Sequence, residues 1–196
     1  MNDSQWDRLL KIRTSGRDDS HSGKYNYPYE PTPYSVLERL AGSGYVLKKN
    51  TLLDYGCGKG RVGFFLAYQV GCRCIGVEYD ERLFKKAMEN KSTAVSGHKV
   101  GFFHARAEAF DVDPVIDRFY FFNPFSTEIL EKAVIEIRCS WYASPREILL
   151  FFYYPFDSYM SWLMTNDSLH LVDQIDSRDL FGGNSEREQI RVSRKH

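Results

Sequence analysis

Apolar residues follow two spacings along this chain, and the way the spacings alternate predicts its elements. Runs of consecutive apolar residues at Leu52–Tyr55, Cys72–Glu78, Val100–His104, Arg118–Asn123 and Ile148–Tyr153 read as buried strands. Between them, apolar residues recur at helical spacing: Val62, Phe65, Leu66 and Val70 after the first run, and Leu83, Phe84, Ala87 and Met88 after the second, with Asp80 as a helix cap. Ile129, Leu130, Ala133, Val134 and Ile137 form a third stripe after the fourth run. Strands taking turns with helices predict an α/β fold around a mostly parallel sheet. The end of the chain departs from this rhythm, with a short helix over Ser158–Met164, a strand over Leu169–Gln174, a polar loop carrying Gly182 and Gly183, and a last strand over Gln189–Ser193.

The N-terminal part has a different pattern. Residues 1–23 are polar, and Trp6, Leu9 and Leu10 suffice for one helical turn, so this segment is expected to be a mobile extension. Residues 24–45 interleave Tyr25, Tyr27, Tyr29 and Tyr34 with Pro28, Pro31 and Pro33, which favours extended backbone laid across a surface as a cover. Thr32 as N-cap and Pro33 at the first helical position then start a helix with Val36, Leu37, Leu40 and Ala41 on its apolar side and Gly42 or Gly44 as its stop.

Composition sets the bounds. With 196 residues and 43% hydrophobic content, the chain suits one domain, placed over 24–196. Lysine plus arginine equals aspartate plus glutamate at 26 each, so no global field favours nucleic acid as a partner, although a local basic patch is compatible with the balance. No apolar run is long enough to span a bilayer and no apolar leader opens the chain, so a cytoplasmic protein without membrane partners is expected. Cys57, Cys72, Cys74 and Cys139 fall inside predicted core elements and are expected as reduced thiols. Cys72 and Cys74 share a strand face but lack the further ligands of a zinc site, so no metal is expected.

The first strand ends in Asp54 and runs into Gly56-Cys57-Gly58-Lys59-Gly60-Arg61. A strand, a glycine-rich turn and a helix N-terminus present free backbone N–H groups to a nucleotide-like ligand. A dinucleotide turn, G-x-G-x-x-G, would need its third glycine at Arg61. The acidic residue followed by Gly56, Gly58 and Gly60 instead resembles the first motif of the class I S-adenosylmethionine-dependent methyltransferases. A carboxylate at Asp54 suits the ammonium end of that cofactor, where a pyrophosphate would be repelled.

The resemblance extends over most of residues 25–196, to small bacterial methyltransferases that share the Tyr-Glu-Pro-Thr-Pro-Tyr, Gly-Cys-Gly-Lys-Gly-Arg and Phe-Asn-Pro-Phe stretches. It implies a Rossmann-like sheet of seven strands with helices on both faces. The last two strands would form a hairpin, with the seventh inserted antiparallel and its loop opening on the ligand edge. Asp54, Gly56, Cys57, Gly58 and Gly60 would hold the methionine end of S-adenosylmethionine. Glu78 closes the second strand, where a carboxylate accepts ribose hydroxyls, with Tyr79 beside it. The family's acidic adenine contact would fall on Arg106, which cannot accept a hydrogen bond, leaving Ala107, Glu108 or stacking for that role. Asn123, Pro124 and Phe125 resemble the acceptor motif of amino methyltransferases with its second proline missing.

A methyl group would go to a nitrogen, or less favourably an oxygen, of a small molecule or protein. Tyr29, Glu30, Tyr34, Tyr153 and Tyr154 are candidates for taking the acceptor's proton or placing it, and Tyr29 is counted with Asn123, Pro124 and Phe125 as a catalytic candidate. His104 reads as structural, and the basic stretch Arg187–Lys195 as a solvated edge strand protected by charge. Two other classes remain open, an NAD-dependent oxidoreductase and a binding module that keeps the cofactor pocket without catalysis.

Overall fold

A computed structural model describes residues 1–18, 27, 29–183 and 185–195. In chain order the elements are α1 (Asp3–Leu10), α2 (Tyr34–Gly42), β1 (Thr51–Tyr55), α3 (Arg61–Gln69), β2 (Arg73–Glu78), α4 (Glu81–Thr93), β3 (Val100–His104), β4 (Arg118–Phe121), α5 (Thr127–Ala143), β5 (Leu149–Tyr153), α6 (Asp157–Thr165), β6 (Leu169–Asp176) and β7 (Gln189–Lys195). The seven strands form one sheet in the order β3-β2-β1-β4-β5-β7-β6. Strands β1 to β5 pair in parallel, and β7 is inserted antiparallel between β5 and β6. The chain leaves β1 toward β2 on one side and later fills the other side with β4, so a crevice opens at the carboxyl ends of β1 and β4. Tyr153, which ends β5, pairs with Ile190 near the start of β7, so the loop before β7 lies at that same edge.

The strands are apolar throughout because both sheet faces are covered. Leu52, Tyr120 and Phe151 enter one core with Val36, Leu37 and Phe65, while Leu53, Phe119, Phe121 and Phe152 enter the other with Leu130, Val134 and Ile137. The period of two thus divides consecutive apolar residues between the two layers. Asp80 caps α4 as expected, its side chain accepting from the Arg82 N–H.

The N-terminal segment is more built than its sequence suggests. α1 is a full helix whose capping box pairs Asn2 with Gln5, and it sends Trp6 and Leu10 into the core. Trp6 stacks on Tyr34 at 5.8 Å and meets Phe65 edge-on at 5.0 Å. What holds the segment down is Arg61, 2% exposed at the start of α3. Its guanidinium donates to Thr14 Oγ1 (2.7 Å), Asp3 Oδ2 (2.5 Å) and the Thr32 carbonyl (3.1 Å), and lies 4.4 Å above the Tyr34 ring. Asp7 completes the cluster by accepting from Thr14 and Tyr34.

Other expectations change in detail. Thr32 does not cap α2. Pro33 occupies the N-cap, and the buried Thr32 hydroxyl bonds Tyr120 on β4 (3.0 Å) instead. Cys139 is exposed on α5, while Cys57, Cys72 and Cys74 are buried free thiols. The basic stretch at the end is no edge strand, because β7 sits inside the sheet and β6 takes the edge. Tyr25 and Pro28 of the aromatic cover lie outside the described residues.

Replacing Arg61 with Gln removes the shared partner of Asp3, Thr14 and Thr32 and leaves Asp7 without its cation. We expect a loss of about 3 kcal/mol in stability, measured as a lowered urea midpoint.

Candidate functional site

The crevice is built around the turn from β1 to α3. Gly56 and Gly58 have φ of 69° and 54°, in the left-handed region that side chains avoid. Close approach adds a second reason for glycine at both. A Cβ on Gly56 would sit 2.3 Å from Pro124 Cβ, and one on Gly58 would sit 2.1 Å from the Tyr29 ring. The turn is held to β2 by its backbone: the N–H groups of Gly56 and Cys57 donate to the Val77 carbonyl at 2.9 and 3.1 Å. Gly60, also left-handed, is the N-cap of α3.

Glu78, at the end of β2, supports this turn directly. One carboxylate oxygen accepts the Gly58 N–H (2.8 Å) and the other accepts the Asp80 N–H (2.8 Å). Asp54, at the end of β1, is 4% exposed and has no hydrogen-bond partner among the described residues. Burial pushes its carboxyl well above the usual range, and the Glu78 charge pushes it further. Burial raises Glu78 as well, and the two backbone N–H groups hold that rise back. Both acids therefore face a cavity wall with too little positive charge to balance them.

Tyr27 and Tyr29 roof the cavity, with Asp54, Gly56 and Cys57 on its floor, Glu78 and Tyr79 on one side, and Phe122, Pro124 and Phe125 on the other. Ala107 and Glu108 line it beyond Tyr79. Arg106 stacks on the Tyr79 ring at 4.6 Å and pairs with Glu108 at 3.6 Å. Cys57 is a buried thiol whose ionisation burial suppresses, so it acts here through its backbone.

Three of the predicted cofactor and catalytic residues lie off the cavity wall, as do the proton-taking candidates Tyr34, Tyr153 and Tyr154. Gly58 and Gly60 are covered, by the Tyr29 ring and by Phe102 and Phe64 respectively. Asn123 spends its amide on backbone: Nδ2 donates to the Tyr154 carbonyl (2.7 Å) and Oδ1 accepts the Phe156 N–H (3.1 Å). It ties the β4 turn to the start of α6, with its own φ at 41°. Phe125 touches the cavity but belongs mainly to the core, packed on Tyr55 and Phe121. The Tyr29 hydroxyl donates to the Thr14 carbonyl (2.6 Å), and burial raises its pKa, so it braces the roof.

The roof is a strap across the crevice. Asp18 and Tyr29 pair as an antiparallel bridge, Arg82 on α4 lies 3.8 Å from Asp18, and the Tyr27 N–H reaches the Pro124 carbonyl at 3.4 Å. Sequence reasoning did not single out Arg61 or the partners of the strap. One signal for Arg61 was available, since a cation in the first turn of a helix opposes the macrodipole and calls for buried acids.

Residues 52–139 match the family model described as a methyltransferase domain, a little under half of the chain. No protein of curated function matches the chain in sequence. Among solved structures, the fold is similar to that of an RNA methyltransferase from Salinibacter ruber in complex with S-adenosyl-L-homocysteine. That protein is 21% identical, with 85% of this chain and 92% of that one covered and a TM-score of 0.56. A TehB-like SAM-dependent methyltransferase from Corynebacterium glutamicum (16% identical, 81% and 86% covered, TM-score 0.56) and an rRNA methylase from Streptococcus thermophilus (14%, 81% and 92%, 0.56) share it too. These likenesses establish the fold as the Rossmann-like class I methyltransferase fold, with helices on both faces of a seven-stranded sheet.

The two acids should respond oppositely to neutralisation. A carboxyl with a raised folded-state pKa contributes stability that is present below its unfolded pKa and lost as pH rises through the folded one. Asp54→Asn should therefore raise the melting temperature of the ligand-free protein at neutral pH, with a gain that shrinks toward pH 4. Glu78→Gln puts a donor where two N–H groups need acceptors and should cost about 1–3 kcal/mol. Calorimetric melts from pH 4 to 8 compare the two.

Proposed function

We propose that this protein is an S-adenosylmethionine-dependent methyltransferase whose acceptor offers a nitrogen, or less favourably an oxygen. The observation that carries the reading is the buried, unpartnered carboxylate of Asp54 beside Glu78 at the mouth of the glycine turn. A ligand that brings its own positive charge relieves that repulsion, whereas a dinucleotide brings pyrophosphate to it. The Gly58 N–H, which a pyrophosphate would use, is already taken by Glu78. The match to a methyltransferase domain and the fold shared with SAM-dependent methyltransferases support the same conclusion.

The residues present fit this cofactor. Asp54 and the backbone of Gly56 and Cys57 would hold its methionine end, Glu78 its ribose, and Tyr79, Ala107 and Glu108 its adenine. When bound, S-adenosylmethionine supplies a methyl group already activated by its sulfonium. The chain's own task is to align an acceptor and keep water away.

On the acceptor side, Asn123 is a positioning residue that holds Pro124 in place. Among the described residues the Pro124 carbonyl accepts only the long bond from Tyr27, so it can take an acceptor N–H as well. The Tyr29, Tyr34 and Tyr153 hydroxyls already donate, to the Thr14 carbonyl, Asp7 and Glu188, and burial raises the pKa of all three. They hold their protons and are unfit to receive another. Glu30, an exposed carboxylate on the cavity wall 3.8 Å from Arg17, is the group we assign to take a proton from an amine. The acceptor itself is a small molecule, a protein or, as for the RNA methyltransferases that share the fold, an RNA.

Titration calorimetry with S-adenosylmethionine, S-adenosylhomocysteine and NAD tests the reading. The first two should bind one per chain, with binding lost in Asp54→Asn and Glu78→Gln, and NAD should not bind. Binding of NAD alone, or of none of the three, overturns it.

A further inference from the structure

The balanced total charge hides a polar division of the surface. On the outer side of the strap, α1, residues 11–15 and α4 enclose a groove of about 890 Å³. Arg8, Lys11, Arg13, Lys59 and Lys86 line it, against two carboxylates, Asp7 and Glu89. Asp7 is committed inward to Thr14, Ser15 and Tyr34. Arg8, Lys11, Arg13 and Lys86 have no ion-pair partner among the described residues. Lys59 reaches the groove from the glycine turn, donating to the Ser15 carbonyl (2.8 Å) and lying 4.7 Å from the centre of the Tyr29 ring. Burial and the nearby Lys86 charge lower its pKa, and Asp18 and Asp7 offset them only in part.

Five cations in one concave groove repel one another, and a polyanion that threads the groove relieves several repulsions at once. Among the described residues the walls carry no aromatic ring on which bases could stack, so recognition there falls on phosphates. The Ser4 hydroxyl stands among the cations, and those of Ser15 and Ser92, which already donate to Asp7 and to the Glu89 carbonyl, keep lone pairs that can accept the 2′-hydroxyls that separate RNA from DNA. A flat membrane surface would meet the rim of such a groove and miss Lys59, which is 9% exposed.

We propose that this groove binds the sugar–phosphate backbone of an RNA strand. The inference stands on charge and shape at a place separate from the cofactor cavity, and it does not depend on methyl transfer. Lys59 belongs to the cofactor turn and is left intact in the test.

The test is fluorescence anisotropy of a labelled RNA of about 20 nucleotides with the full chain, from 50 to 300 mM NaCl. Log affinity should fall linearly with log salt, with a slope of about −2 to −3 for three or four neutralised phosphates. Arg13→Glu/Lys86→Glu should weaken binding at least tenfold and flatten the slope. The milder Arg13→Gln/Lys86→Gln should do the same to a smaller degree, while Lys132→Glu on α5 should bind as the wild type does. Calorimetry with S-adenosylhomocysteine should be the same in all variants, which separates a failed groove from a failed cofactor site. Unchanged RNA binding in the double variants overturns the proposal. So does equal affinity for DNA of the same sequence, or full displacement by millimolar inorganic phosphate at constant ionic strength, which would make the groove a small-anion site.

Discussion

The buried guanidinium of Arg61 is where two parts of this protein become one. It stands at the first position of the helix that follows the glycine turn, and its partners come from α1, from the segment after it and from the approach to α2. A charge held at 2% exposure is tolerable only with most of its donors engaged, so the N-terminal segment is bound to fold against the turn. That contact fixes Thr14, whose carbonyl receives Tyr29, and Tyr29 closes over Gly58. The roof of the cavity is thus set from beneath its floor.

The cavity's electrostatics follow from the same economy of partners. Glu78 uses both carboxylate oxygens on backbone N–H groups and shapes the turn. Asp54, one strand over, is left with burial and a like charge. In the ligand-free state the two acids oppose each other, one structural and one held at a cost in stability. Unfavourable charge kept at a site is the usual sign that binding relieves it. Arg61, though it lines the cavity, gives its Nε and Nη1 to Thr14, Asp3 and Thr32 and is not among the charges acting on Asp54.

The strap separates two regions of opposite character. On its inner side are Asp54 and Glu78, and on its outer side the cations around Lys86. Lys59 bridges them, since it belongs to the glycine turn but extends outward to Ser15. Equal numbers of acidic and basic residues in the sequence are therefore no measure of the local field, which depends on which charges are paired with one another and which are not.

Much of this was legible in the sequence. Buried strands show as apolar runs, and a turn that only glycine can make shows as glycine, because both are local demands on composition and spacing. The element order and the places of Asp54 and Glu78 at strand ends came from such signals, whereas the inserted antiparallel strand came from the family resemblance. The tertiary structure alone decided how side chains divide between ligand and scaffold. Asn123 could be read as a substrate contact until the turn after β5 was seen to claim both ends of its amide. Thr32 could be read as a helix cap until Tyr120 was seen to meet its hydroxyl. Trp6 and the rest of α1 gave a weak helical signal because their stability comes from Tyr34, Phe65 and Arg61, contacts remote in sequence. A hydrogen-bonding group goes to whichever partner the folded chain brings within 3 Å, and no local pattern records that choice.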